Sequence, residues 1–517
     1  MRKLPNSLIK NENVTLFPEG ALGYLVGPTL AALANSVLAN YYNTYMSNVL
    51  NINKWAGWFF TWIPVISVVF VVLGNILVGR LMDRNRTSAG KARPLLLLSL
   101  PFSLTSLLIL FVFSPYVNET MQNRQLIALI LMTIGYLGWF GLSYPMYSTP
   151  HAALVSLSTR NSKDRSLLAT ISNATALAAM GVVSMVLPFF LRLLFIYQTD
   201  PALLPAGATA VTNAAGAVEY YIDSSGAAIY DGLASYQHWK VFALALMVLI
   251  TIGTFIEYLF TRERVSEESA AAESQPAISV SRQMKICLKD RYWYIIIAFF
   301  LFYQMGGMMK NVSQLYFCQA MFTDAAGNYT TANGGTIQGT LAIIGAIPTA
   351  LGMLIAVPLA NKLGKRNAIL GGAVVAVLGG ALGLLFPANL PIVMASFIIK
   401  ALGSTPAMYL SLALLADVFD HQEARNGIRT DGFTMTIYGA IMAGTTGIAT
   451  GIMNGILSAL NYSSSNISSP LIRTAMPWLF IGVETICYAA IFILFLFMNV
   501  ERYSDEDHAV IAARTAK

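Results

Sequence analysis

Four ionisable side chains stand in stretches otherwise too apolar to hold them: His151 in YPMYSTPHAAL, Lys310 in FYQMGGMMKNVSQ, Lys400 in FIIKALGSTP and Glu484 in FIGVETICY. A charge in hydrocarbon costs at least about 2.5–3.5 kcal/mol, so each must face a partner or a polar cavity, or reach the interface. The chemistry on offer is simple. An ammonium holds an anion, a carboxylate holds a proton or cation, and an imidazole exchanges a proton near neutral pH. Around Lys310, the residues Gln304, Gly307, Asn311 and Gln314 recur at helical spacing and form a polar stripe. The plainer alternatives are structural. Lys310 and Lys400 could snorkel to the interface or pair with an acid, His151 could be a hydrogen-bonded packing residue beside Pro150, and Glu484 could pair with a neighbouring helix or face lipid protonated. Arg80 and Arg192, near span ends, read as interface anchors.

The surroundings of these residues are membrane spans. Of 517 residues, 56% are hydrophobic and only 11% charged, with mean hydropathy +0.61, against about 25% charged in a soluble domain. A spanning helix needs about 20 mainly apolar residues. Twelve segments meet that length, at 21–49, 55–82, 95–117, 125–155, 167–197, 238–261, 292–321, 339–361, 368–387, 391–416, 431–460 and 474–499. The expected fold is therefore an all-α membrane protein with both termini on one side. With the N-terminus inside, 24 of the 32 Lys and Arg fall on the inner side and four outside, which predicts a multi-pass protein of the cell membrane with cytoplasmic termini. The net charge of +7 sits in short loops rather than on a basic face, which excludes a nucleic-acid binder. Cys287, Cys318 and Cys487 lack metal-ligand spacing and read as packing residues. The polar N-terminus does not supply the apolar core of a cleavable signal peptide.

Two connections are long. Residues 262–291 are charged and rich in Ser and Ala, and they divide six spans from six, so the expected organisation is a six-helix half-bundle over 1–261, a cytoplasmic linker over 262–291, and a second half-bundle with a short tail over 292–517. Residues 198–237 read as an outward insertion in the first half.

Two loops carry a more specific pattern. After span 2, Asp83, Arg84, Arg86, Lys91 and Arg93 lie in GRLMDRNRTSAGKARP, where Gly90 permits a turn and Pro94 opens span 3. After span 10, Asp417, Asp420 and Glu423 face Arg425 and Arg429 in LLADVFDHQEARNGIRTDG. Together these segments resemble the glycoside-pentoside-hexuronide:cation symporter family of the major facilitator superfamily, the group that includes melibiose permeases. Asp83, Arg84, Arg86, Gly90, Arg93 and Pro94 match its first loop, and Ala416, Asp417, Asp420, Glu423, Gly427 and Arg429 its second. The resemblance implies that these loops belong to the cytoplasmic gate. The family's span-2 carboxylates correspond here to Val71 and Asn75, a span-4 sugar-contacting aspartate to Ser148, a span-5 arginine to Asn173 and a span-11 lysine to Ala443.

In the facilitator fold that the resemblance implies, spans 1, 4, 7 and 10 line a central cavity. The polar residues concentrate there: Asn35, Asn40, Tyr41 and Tyr42 on span 1, Tyr147, Ser148 and His151 on span 4, and the two lysines with Gln304, Asn311 and Gln314 on spans 7 and 10. A positive cavity without the span-2 acids points to an anionic solute, such as a uronide, a sulfonated or phosphorylated sugar, or another organic anion. His151, Asn75 and Glu484 are the candidates for coupling an ion. The expected function is a secondary transporter working by alternating access, as a monomer among membrane lipids, with no cofactor beyond a coupling H+ or Na+. An exporter of amphiphiles or lipids and a non-transporting sensor are the alternatives. An enzyme is disfavoured, because the spans carry no H-E-x-x-H, nucleophile elbow or Cys/His cluster.

Overall fold

Helix starts in this chain are written by side chains that satisfy the free N–H groups of a first turn. Asp231 accepts from Ala234 N, Asp290 from Tyr292 N, and Asn389 from Ile392 N, while Pro94 occupies the first turn of its helix. In the computed structural model, which describes the chain except residues 1–6, 12, 85–86, 88, 160–161, 205–206, 213–216, 223–228, 265–279, 323–330, 428–430, 463–466, 468 and 516–517, the described residues form twelve long helices. These are α1 (Leu16–Asn48), α2 (Gly57–Arg84), α3 (Arg93–Phe113), α4 (Gln122–Val155), α5 (Ser162–Leu194) and α6 (Gly232–Phe260). They are followed by α7 (Arg291–Met321), α8 (Thr331–Leu363), α9 (Lys365–Leu385), α10 (Leu390–Asn426), α11 (Asp431–Ala459) and α12, which runs through Pro470–Pro477, Trp478–Gly482 and Val483–Leu496. Ten of these stretches are long and apolar enough among the described residues to cross a membrane; α5 and α8 are outside that set.

Three local expectations change. The outward insertion ends earlier than expected, because the Asp231 cap starts α6 at Gly232. The part of the insertion described is a hairpin of β1 (Thr209–Thr212) and β2 (Val218–Ile222), antiparallel, with Tyr197 stacked on Tyr220 and Tyr230. Arg192 is tied to this hairpin, forming an ion pair with Glu219 beside the Tyr197 ring, rather than acting as a free anchor. Finally, α10 runs on to Asn426 because no Gly or Pro occurs between Pro406 and Gly427, so Asp417, Asp420 and Glu423 lie on its last turns and not around a loop.

The chain divides into two compact units. The first comprises Met1–Gln275 with Asp324–Thr336 and Thr450–Ser468; the second comprises Pro276–Thr323, Ile337–Ala449 and Ser469–Lys517. In the first, Tyr24, Ala31, Ala92, Leu96, Tyr147, Leu154 and Leu168 form a buried cluster. In the second, Tyr292, Ile296 and Phe299 of α7 pack with Ala373 of α9, Leu414 and Val418 of α10, and Ile491 and Phe495 of α12.

Each unit repeats one electrostatic device. In the first, Glu263, just past α6, accepts from the backbone N–H of Lys91, Ala92 and Arg93 at the start of α3, at 2.8, 2.9 and 2.9 Å. Arg93 answers by donating to Tyr258 O, 2.7 Å away, near the end of α6. In the second, Glu501 accepts from Lys365 N and Arg366 N at the start of α9, at 2.8 and 3.2 Å, and Arg366 donates to Phe495 O and Leu496 O, at 2.9 and 2.7 Å, where α12 ends. An acid thus meets a positive helix start and an arginine a negative helix end, in both units. Gly90 (φ +113°) and Gly364 (φ +86°) supply the left-handed turns that bring those helix starts onto the carboxylates. The C-terminal helix α13 (Ser504–Thr515) adds Asp507 to His421 at 2.7 Å and His508 to Asp420 at 3.2 Å.

Removing the Glu501 carboxylate strands two N–H donors and the positive end of α9. Glu501→Ala is expected to lower stability by about 1–2 kcal/mol, with a smaller loss for Glu501→Gln, as measured by thermal unfolding of the purified protein in detergent.

Candidate functional site

In the second unit, three of the sequence candidates meet at one point. Glu484 on α12 is 4% exposed and forms an ion pair with Lys400 of α10, itself 3% exposed. Lys310 of α7 reaches the other carboxylate oxygen, Nζ to Oε1, at 3.5 Å. Both ammonium groups lie over the ring of Phe397, at 5.6 Å from its centroid, and that of Lys400 also over Phe480 at 5.7 Å, a placement that the ring's negative face favours. Lys400 therefore does not snorkel, and Glu484 faces protein rather than lipid. Two lysines share one carboxylate, a formal excess of one positive charge when each group is in its ordinary charge state. Lys310 is the accessible member, its side chain 27% exposed.

The polar stripe of α7 divides in two. Gln304 and Asn311 are half-buried, whereas Gln314 is buried and donates to Gln338 O of α8 at 3.4 Å.

In the first unit, a second polar cluster joins α4, α5 and α6. His151 Nδ1 lies 2.7 Å from Oε1 of Glu257, Tyr147 donates to Oε2 of the same carboxylate at 2.5 Å, and Ser172 Oγ lies 2.8 Å from His151 Nε2. Glu257 is fully buried and is absent from the sequence candidates. The cost of a charge in a span, which singles out Glu484, applies equally to Glu257 in GTFIEYLF.

The other candidates are held individually. Asn75 donates to Val71 O and accepts from Thr149 Oγ1, both at 2.9 Å, which ties α2 to α4. Asn35 accepts from Trp139 Nε1 at 3.2 Å, and Asn40 donates back to Ser36 O of its own helix. Tyr42 is fully buried among the rings of Tyr45, Phe111 and Tyr136; Ser148 is half-buried on α4.

Among the loop residues, Asp417 pairs with Lys365 of α9 at 2.6 Å. Arg93 is turned inward as the cap of α6. Arg86 and Arg429 lie outside the described residues, as do the side chains of Asp83, Arg84, Asn173 and Ala443.

The first unit also has an apolar groove of about 600 Å³, lined by Leu33, Val37, Val183, Phe190, Val241 and Leu246. Its wall includes side chains that are largely exposed, Val241 at 68% and Phe190 at 51%, which suits contact with lipid better than a polar solute.

A family profile described as MFS/sugar transport protein matches residues 23–502. The chain is 24% identical to the isoprimeverose transporter of Lactiplantibacillus pentosus, over 82% of this chain and 77% of that protein. It is 22% identical to a glucuronide carrier protein homolog of Escherichia coli (strain K12), over 87% of this chain and 85% of that protein. Among solved structures it matches a D-xylose-proton symporter with a TM-score of 0.57 at 12% identity, covering 92% of this chain and 97% of the other. A nucleoside transporter matches with a TM-score of 0.56 at 12% identity, over 93% and 100%. These likenesses show the facilitator fold, an all-α membrane architecture.

Glu484 is the counter-charge for two lysines. Glu484→Gln is expected to lower stability by about 3–5 kcal/mol, because it leaves the buried ammonium of Lys400 uncompensated, and the double variant Lys400→Met/Glu484→Gln should recover much of the loss. Unfolding of the two variants side by side in detergent measures both effects.

Proposed function

The chain belongs to the MFS/sugar transport family and is a secondary transporter; we propose that its solute is a sugar-like organic anion, a uronide or similar sugar acid, whose carboxylate pairs with Lys310. The observation that carries this reading is the excess charge of the Lys310–Glu484–Lys400 cluster. A bound carboxylate would bring two cations and two anions into balance, which is the state a low-dielectric site favours. Lys310 is the member suited to receive it. Its ammonium is more exposed and sits further from Glu484, whereas Lys400 is closed onto the carboxylate and holds it in place. Gln304 and Asn311, half-buried on the same helix, would serve the hydroxyls of a sugar ring. The relative named as a glucuronide carrier homolog supports the same solute class.

The reading extends to topology. The distribution of Lys and Arg supports twelve crossings with both termini cytoplasmic, and a transporter of this kind moves solute by rocking one half against the other around a midplane site.

Uptake of labelled D-glucuronate into proteoliposomes tests the assignment. Lys310→Ala should reduce uptake by about tenfold or more, the loss of one charge-assisted contact, with an unfolding temperature close to that of the wild type, and Lys310→Arg should retain part of the activity. Unchanged uptake by Lys310→Ala would remove Lys310 from the site.

A further inference from the structure

We propose that the His151–Glu257 pair is a proton-binding site through which this transporter couples solute movement to a proton. The inference rests on the chain's being a secondary transporter and is independent of which solute it carries.

Glu257 is fully buried, and His151 is the one cationic group at ion-pair distance from it among the described residues. The other charges and titratable groups in this part of the first unit are engaged elsewhere. Glu19 and Arg264 pair with each other at 2.8 Å. Arg93 donates to Tyr258 O and Ala89 O and lies over the Tyr258 ring, and Glu263 caps α3. Tyr24 is bonded to Ser158 and to Leu154 O, Tyr144 is half-buried one turn before Tyr147, and the nearest polar link to α2 is the neutral Thr149–Asn75 pair.

The geometry fixes the proton positions. Glu257 accepts from Tyr147 on Oε2 and faces Nδ1 with Oε1, so the imidazole carries a proton on Nδ1 in both of its charge states. Nε2 is then the exchanging atom. In the neutral ring it accepts from the Ser172 hydroxyl; when a proton binds there, Ser172 rotates and accepts instead. One proton enters from solution, no bond other than N–H forms, and the pair passes from a net charge of −1 to zero. The neutral pair can be enclosed in the membrane, whereas the lone carboxylate favours access to water. The His151 side chain is 14% exposed while Glu257 is 0%, so the ring is the accessible member of the pair. A carboxylate, histidine and hydroxyl in line also form the frame of a hydrolytic triad. Here, however, Ser172 lies inside the long helix α5, where successive N–H groups are taken up by the helix and do not form an oxyanion site.

The test needs no solute. Spin labels, one in each six-helix half of the reconstituted full chain, report by pulsed electron resonance the populations of inward- and outward-facing distances at pH 5 and pH 8, the range over which an unperturbed histidine changes charge. The wild type should shift its population ratio by roughly tenfold between the two, the response to one proton favouring one state. His151→Gln and Glu257→Gln should abolish the shift. Ser172→Ala, which removes one hydroxyl and leaves the ion pair, should displace its midpoint, and His421→Gln should leave it intact. A wild type that is insensitive to pH, or a full shift in folded His151→Gln and Glu257→Gln, would overturn the proposal. Either result combined with D-glucuronate uptake would overturn coupling at this pair and leave the solute assignment standing.

Discussion

A carboxylate inside a membrane cannot be left alone, and the arrangement of both units follows from that constraint. Hydrocarbon offers no water to solvate a charge, so a buried acid must be protonated, paired, or opened to a polar cavity. Glu484 and Glu257 meet this requirement in different ways. The first is paired with two lysines, Lys400 and Lys310. The second has one tyrosine hydroxyl and a histidine, a cation only when protonated. On the proposals made above, the first cluster receives an anion and the second a proton.

Holding these clusters takes helices that do not slip. Apolar side chains gain little by leaving lipid for protein, so helix association in a membrane depends on close packing and on polar contacts. The reciprocal caps supply such contacts at the same place in each unit: Glu263 with Arg93 joins α6 to α3, and Glu501 with Arg366 joins α12 to α9. In each case the helix that carries the buried acid, α6 or α12, is the one whose end is capped. The caps and the clusters therefore act on the same helices, one fixing the end and the other the interior.

Much of this is legible in the sequence, and the remainder is absent for physical reasons. Helix positions follow from runs of about 20 apolar residues, whereas the start of α6 at the Asp231 cap lies ahead of the apolar run and so escapes that signal. Lys310, Lys400 and Glu484 stand out one at a time through the cost of their charges. That they converge does not, because they lie on three helices remote in sequence and nothing local encodes the pairing. The snorkelling alternative for Lys400 follows from its distance to the span end, yet Glu484 provides a nearer counter-charge than the interface does. Glu257 was detectable by the same rule but lies close to the expected end of its span, where an acid is unremarkable. The motif Gly90-Lys91-Ala92-Arg93 and its partner Gly364-Lys365-Arg366 contain the repeated cap, although a loop rich in positive charge is equally well explained by membrane topology.

The central claim is that the second unit holds a positive charge awaiting an anion. The most direct test is the unfolding temperature of the purified protein with D-glucuronate and, in parallel, with D-glucose, since a ligand that binds the native state raises that temperature by mass action. The account predicts stabilisation by glucuronate that grows with its concentration, is lost in Lys310→Ala, and is absent with glucose. Equal stabilisation by both sugars, or by glucose alone, would contradict it and place the solute contacts away from the lysine cluster.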